Sequence, residues 1–358
     1  MATDRYATQA GGGGAPNNGQ TWATAFTPAE LYADVLANAA ADWHYWLFGD
    51  GDETYALAGA HDASAIDGTA ALPIRITGVD SASNEPPLVS EYATGANRPL
   101  ITAGANEWRL GDFWTVQNLR GTISHTGGFR HQNYCTLNNC QFQQTSGVND
   151  DKCVWFGNYG QVVNSELYGA GSRAFYGSFG NRLYRNYIHD CRYAIFMLNL
   201  GNTVADNVVD SATIAGIYGD GTQYNTIIGN TIYNCPYGIF GPAASDGWTI
   251  MHNLIDTCTT KGIDFTNAYL NHFLDYNNYN GNSGGDVDDI TKGPNATAHD
   301  PQFVDAAGGD FRLMPSSPCL RAGMPFNLAG GSGQEQPQGA IWTPDRHQAA
   351  PGLFRGAV

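Results

Sequence analysis

From residue 113 to residue 280 the chain repeats one pattern of apolar and polar positions. The marker is an Asn just after a short apolar stretch: Asn118, Asn138, Asn164, Asn186, Asn207, Asn230, Asn253 and Asn277. The gaps, by subtraction, are 20, 26, 22, 21, 23, 23 and 24 residues. Three residues before the marker sits an apolar residue, as at Leu183, Val204, Ile227, Ile250 and Leu274. Two residues after it sits another: Ile188, Val209, Ile232 and Ile255. Eight to ten residues after it, a small residue precedes Ile, as at Ala194-Ile195, Gly216-Ile217, Gly238-Ile239 and Gly262-Ile263. Turn residues divide these short runs, and none has the spacing of a helix face, so each repeat is predicted to hold three strands. A fixed period of this size marks a solenoid.

The ends break the period. Thr27-Pro28-Ala29-Glu30 carries a capping Thr, a Pro at the first helical position and a Glu that closes a capping box. A helix to about Ala40 is predicted, with Leu31, Val35 and Leu36 on one face, covering the open end of the solenoid. Residues 80–112 form an excursion rich in Pro and Asn. The division expected is 1–44 for the N-terminal strand, loop and capping helix, 45–299 for the solenoid, and 300–358 for a C-terminal capping segment and tail.

These repeats resemble the right-handed parallel β-helix of the pectate-lyase-like superfamily, over most of the chain. The RYATQAGGGGAPNNGQTWATAF stretch from Arg5 resembles the opening of many β-helix repeat proteins. The segment from Asp300 to Gly323 resembles the non-catalytic part that closes their last coil. The resemblance implies an all-β fold. It implies no single chemistry, because that fold hosts lyases, hydrolases, epimerases, phage tailspikes and inert virion parts. The Gly-His-Gly, acidic and Arg-x-Lys signature of polygalacturonases is absent from the sequence, as is the Tyr-Gly-Phe-Asp-Pro-His box of alginate epimerases.

Charge narrows the partners. Lys and Arg number 17 against 33 Asp and Glu, a net charge of −16. Nucleic acid is therefore not expected, since phosphate binding depends on Lys and Arg. No apolar run approaches the roughly 20 residues of a membrane span. The first residues lack a basic and then apolar leader, so no signal peptide is expected. Cys191, Cys235 and Cys258 each follow a marker Asn by five residues, with Ala212 in the same column. They are expected as an internal stack of thiols, not as disulfides or a metal site.

Columns, not sequence neighbours, decide which side chains meet, because equivalent positions of adjacent coils lie about 4.8 Å apart. His189, Asp210, Tyr233 and Asp256 share an outward column. Asp210 and Asp256 are the acid/base candidates for a glycosidase; two coils put them about 10 Å apart, at the edge of the inverting range. For a lyase, His189 or Tyr187 would take the proton. Tyr176, Phe196, Tyr218 and Phe240 follow the inward positions and form either an outward aromatic platform or core stacking. A basic patch of Arg173, Arg182, Arg185 and Arg192 could neutralise a uronate, although Arg185 is also one coil from Asp206. Asp50, Asp52 and Glu53 form an acidic turn. Asp286, Asp288 and Asp289 with Asn282 supply the oxygen ligands Ca²⁺ accepts, without the spacing of an EF-hand. No other cofactor is implied.

Two function classes fit. The first is a non-catalytic surface or virion protein, of the decoration or tailspike kind. It would be homo-oligomeric or particle-bound and would contact glycans or neighbouring subunits. The second is a polysaccharide lyase or glycoside hydrolase.

Overall fold

The computed structural model describes residues 3–11, 19–49, 53–81, 84, 86–242, 244–266, 271–322, 325–326 and 334–335. It divides into two units, Met1–Gly177 and Ser178–Val358. Each is a parallel β-solenoid whose coils contribute one strand to each of three sheets.

In the second unit the three sheets follow directly from the apolar columns. The first sheet contains Arg182–Tyr184, Thr203–Ala205, Thr226–Ile228, Thr249–Met251 and Phe273–Asp275. The second contains Tyr187–His189, Val208–Asp210, Thr231–Tyr233, Leu254–Asp256 and Asn278–Asn280. The third contains Tyr193–Met197, Ala215–Gly219, Tyr237–Phe240, Lys261–Asp264 and Val287–Asp288. Leu183, Val204, Ile227 and Ile250 stack inward on the first sheet; Ile188, Val209, Ile232 and Ile255 do so on the second; Ile195, Ile217, Ile239 and Ile263 do so on the third. All twelve are fully buried, each contributing roughly 1.5–3 kcal/mol relative to exposure. The small residue before each third-sheet Ile is needed for space. A Cβ on Gly238 would lie 2.5 Å from the Gly262 carbonyl oxygen.

The corner between first and second sheets turns on one left-handed residue per coil: Arg185, Asp206, Gly229, His252 and Tyr276, with φ from 53° to 67°. For the four that are not glycine this costs about 1–2 kcal/mol each. The Asn that follows offsets it. Asn186, Asn207, Asn230, Asn253 and Asn277 are buried and bonded in series. The side-chain amides of Asn207, Asn230, Asn253 and Asn277 also donate to carbonyls of the first sheet, as Asn230 Nδ2 does to Val204 O at 2.9 Å. A second buried ladder, Asn181, Asn202 and Asn225, lines the return corner.

The first unit uses the same coil with a shifted register. Asn118 and Asn164 occupy the left-handed corner position itself, with φ of 58° and 50°. Asn138 ends the strand Thr136–Asn138, and Asn139 is the left-handed residue of that coil. The buried position after the corner holds Leu119, Cys140 and Ser165. The expected single Asn column is therefore confined to the second unit. At the return corner Phe113, Tyr134 and Tyr159 are all left-handed and stack at 4.7 and 5.1 Å.

Helix α1, Pro28–Asn38, is capped as expected: Thr27 N–H donates to Glu30 Oε2 at 2.8 Å and Glu30 N–H to Thr27 Oγ1 at 3.4 Å. It buries Leu31, Tyr32 and Val35 over Tyr45, Leu47, Ile76, Ile101 and Trp108. Leu36 is instead exposed, and Tyr32 takes its place, donating its hydroxyl to Tyr55 O at 2.8 Å. The coil begins before the helix, since Thr3–Ala7 already pairs in parallel with Trp43–Phe48. Asp50 and Asp52 of the expected acidic turn lie outside the described residues, as does nearly all of the tail after Ala322. No described helix is long and apolar enough to cross a membrane.

Candidate functional site

Two outer faces of the second unit carry most of the expected site residues. On the second sheet, strand pairing places His189, Asp210, Tyr233 and Asp256 in one column. The neighbouring outward column is Tyr187, Val208, Thr231, Leu254 and Asn278.

The C-terminal segment covers much of this face. Its antiparallel strands Phe303–Asp305 and Asp310–Leu313 set Phe311, fully buried, against Val208. The Phe311 ring lies 5.4 Å from Tyr233 and 6.3 Å from Tyr187. Asn278 Nδ2 donates to His299 O at 2.8 Å. The segment thus runs over the side of the solenoid, where closure of the last coil was expected. Thr231, Leu254 and Asn278 are sealed from solvent.

Beside this strap the column is half open. Asp210 accepts from Ser211 Oγ at 2.7 Å and from the Tyr187 hydroxyl at 3.4 Å. His189 stacks on Tyr187 at 4.3 Å and its Nδ1 lies 2.8 Å from Asp190. Asp256 is only 4% exposed and accepts from Asn280 Nδ2 at 3.0 Å. Burial pushes both carboxyls up, that of Asp256 to about 6, helped by the charge of Asp300. Such shifts are typical of acid/base groups and also of carboxyls trapped under a docked segment.

On the third sheet, Ile195, Ile217, Ile239 and Ile263 point inward, so Phe196, Tyr218, Phe240 and Asp264 stand on the outer face. Phe196 and Tyr218 stack at 4.6 Å, and Tyr218 meets Phe240 edge-on at 5.5 Å. Tyr193 lies across Phe196 at 5.3 Å, and Tyr237 stacks on Phe240 at 4.4 Å. Phe196 is hidden by these rings, while Tyr193, Tyr218, Tyr237 and Phe240 remain partly exposed. Tyr176 is outward on the third sheet of the first unit, in register with Trp155.

The arginines do not form one patch. Arg182 sits exposed on the first sheet and Arg185 at the corner, where it opposes the rise that burial causes in Asp206. Arg192 precedes the third sheet, over the Tyr193 ring at 5.4 Å. Arg173 belongs to the first unit, 3.4 Å from Asp150. A set that sequence reasoning missed lies there too: Arg109, Arg130 and Lys152, also on the third sheet. Aligning Arg130 with Trp155 through the flanking inward residues Phe129, His131, Val154 and Phe156 would have shown it.

Two of the three acids offered for Ca²⁺ are already engaged. Lys292 Nζ bonds Asp286, whose other oxygen accepts from Asn282 at 3.2 Å, and Lys261 pairs with Asp288 at 3.2 Å. Among the described residues no group of three or more His, Cys, Asp or Glu side chains is placed to hold a metal. All seven cysteines are buried thiols. Burial pushes Cys235 up to about 12 and Cys258 well above its ordinary value.

No curated protein matches the chain. Among solved structures it is similar to a pectate lyase, at 13% identity over 94% of this chain and 96% of that one, with a TM-score of 0.48. It is similar to a rhamnogalacturonan lyase, at 11% identity over 92% and 97%, with a TM-score of 0.44. It is also similar to an alginate lyase from Paenibacillus sp., at 15% identity over 82% and 99%, with a TM-score of 0.35. A family model described as periplasmic copper-binding protein (NosD) matches residues 115–293, half of the sequence. With its parallel coils and stacked apolar columns, the chain belongs to the NosD family.

Proposed function

We propose that this chain is an exported, glycan-binding solenoid that holds a linear polysaccharide against the outer face of the third sheet in its second unit. The observation that carries this reading is the outward ladder of Tyr193, Phe196, Tyr218, Tyr237 and Phe240. Five contiguous aromatics on an outer strand face are unusual unless something covers them. Their bodies are held rigidly by one another, so little side-chain entropy is lost on binding. Homo-oligomerisation through the same ladder is the competing use of such a face. The description of the family's namesake as periplasmic supports an exported setting. The virion setting expected from sequence draws no support from that family.

Copper, which the family's description names, does not fit the described residues. The thiols are inside the coil, with ionisation opposed by burial, and among the described residues they join no group of three or more His, Cys, Asp or Glu side chains placed to hold a metal.

A second reading, cleavage of the polysaccharide, is favoured by the raised carboxyls of Asp210 and Asp256. In it one carboxyl protonates the leaving oxygen and the other activates water. Arg185 or Arg192 would serve a lyase, with His189 or Tyr187 as base.

Affinity electrophoresis against a panel of polysaccharides tests both readings. Binding should occur without turnover, should survive Asp210→Asn, and should fall about tenfold or more in Tyr218→Ala and Phe240→Ala. Turnover abolished by Asp210→Asn would establish the second reading instead. Absence of binding to every glycan, together with a dimer broken by Phe240→Ala, would establish the oligomer.

A further inference from the structure

In the first unit the outward column of the third sheet reads Asp62, Arg109, Arg130, Trp155 and Tyr176 on successive coils. Beside it, Lys152 is in register with Arg173. The Arg130 guanidinium lies 4.1 Å over the Trp155 ring. Lys152 Nζ lies 5.7 Å from Trp155 and 5.3 Å from Tyr176, and Arg173 lies 5.2 Å over Tyr176. Two aromatic rings thus sit among three cations, with Arg109 next along the column as a fourth, in a protein with only 17 Lys and Arg.

The ion pairs formed here engage two of the four, Arg109 and Arg173. Asp62 and Glu107 both pair with Arg109, and Asp150 pairs with Arg173. Among the described residues no carboxylate lies within ion-pair distance of Arg130 or Lys152. That is a costly arrangement in a chain carrying 33 acids. Partial burial and the adjacent guanidiniums lower the affinity of both groups for their protons. A bound anion would relieve that repulsion, and the aromatic faces would carry the apolar side of its scaffold. The strip is open and its cations repeat at the strand spacing of about 4.8 Å, which suits a linear ligand bearing regularly spaced charges. The net charge of −16 opposes polyanions over the rest of the surface, so binding would be confined to this strip.

We infer that this strip binds an acidic polysaccharide, with Trp155 and Tyr176 under its sugar rings and Arg130 and Lys152 meeting its carboxylate or sulfate groups. The inference rests on the glycan-binding reading and adds a second face with its own charge selectivity.

Affinity electrophoresis of the full chain in dextran, dextran sulfate and polygalacturonate tests it, at two salt concentrations. At least one acidic polymer should bind about tenfold more tightly than dextran, and salt should erase the difference. Arg130→Gln with Lys152→Gln should abolish that preference and flatten the salt dependence, leaving dextran retention and the unfolding midpoint unchanged. Trp155→Ala should weaken the acidic polymer in a manner independent of salt. Preference for dextran sulfate alone identifies sulfate as the recognised group, and preference for polygalacturonate alone identifies carboxylate. Equal binding of acidic and neutral polymers, or an acidic preference that survives the double substitution, overturns the inference and leaves the glycan-binding reading standing. Retention by none of the three, nor by any glycan of the wider panel, overturns both.

Discussion

Asn207 and Asn230 are joined twice: Asn230 Oδ1 accepts from the backbone N–H of Asn207 at 2.9 Å and from its side-chain amide at 3.0 Å. Both residues are fully buried. This pair of hydrogen bonds, repeated to Asn253 and Asn277, ties each corner to the next.

Removing one member should therefore cost more than removing an exposed Asn. Asn230→Ala leaves the Asn207 N–H and the Val204 carbonyl without their side-chain partner. A destabilisation of about 3 kcal/mol is expected from two orphaned buried groups. Asn149→Ala, at an exposed turn position outside the left-handed set, should stay within about 0.5 kcal/mol. Urea unfolding of the two variants decides this.

Cys235 and Cys258 should resist thiol reagents in the native protein and react only when it unfolds. Burial raises both thiols, so almost no thiolate exists at neutral pH. Rapid labelling under native conditions would place them outside the coil.

The repeat period, the three apolar columns and the second-unit Asn ladder were legible because each recurs at nearly constant spacing. Asn181, Asn202 and Asn225 were equally legible, five residues ahead of Asn186, Asn207 and Asn230, but lay outside the marker chosen. The first unit misled because Asn suits both a left-handed corner and a buried ladder, so residue type alone did not separate Asn118 from Leu119. The strap was invisible for another reason. Phe311 meets Val208 through tertiary packing across about a hundred residues, and no local pattern encodes that docking. The face around Asp210 therefore read as open, and the Arg130–Trp155 pair was missed because the first-unit coils were aligned on Asn residues that occupy different positions of the coil.

Asp256 should make stability depend on pH. Its folded-state value of about 6 lies above the ordinary 3.8. Its favourable contribution is thus complete below about pH 4 and is lost as pH rises through 6. The loss is about 3 kcal/mol at most, and Asp256→Asn should remove it. Unfolding curves of the two proteins at pH 4 and pH 7 give the difference directly.

Phe311→Ala should undock the strap and leave the coils intact. Losing a fully buried Phe costs about 3–5 kcal/mol. Hydrogen exchange should rise across residues 295–322 and stay slow at Ile217 and Ile239. Uniform acceleration through the solenoid would show that the strap is part of the global fold.

The most direct test of the central claim is a crystal structure with a bound oligosaccharide taken from the binding panel. Sugar rings should lie along the third sheet of the second unit, over Tyr218 and Phe240. Rings seated instead beside His189 and Asp210, with Tyr218 and Phe240 untouched, would contradict it.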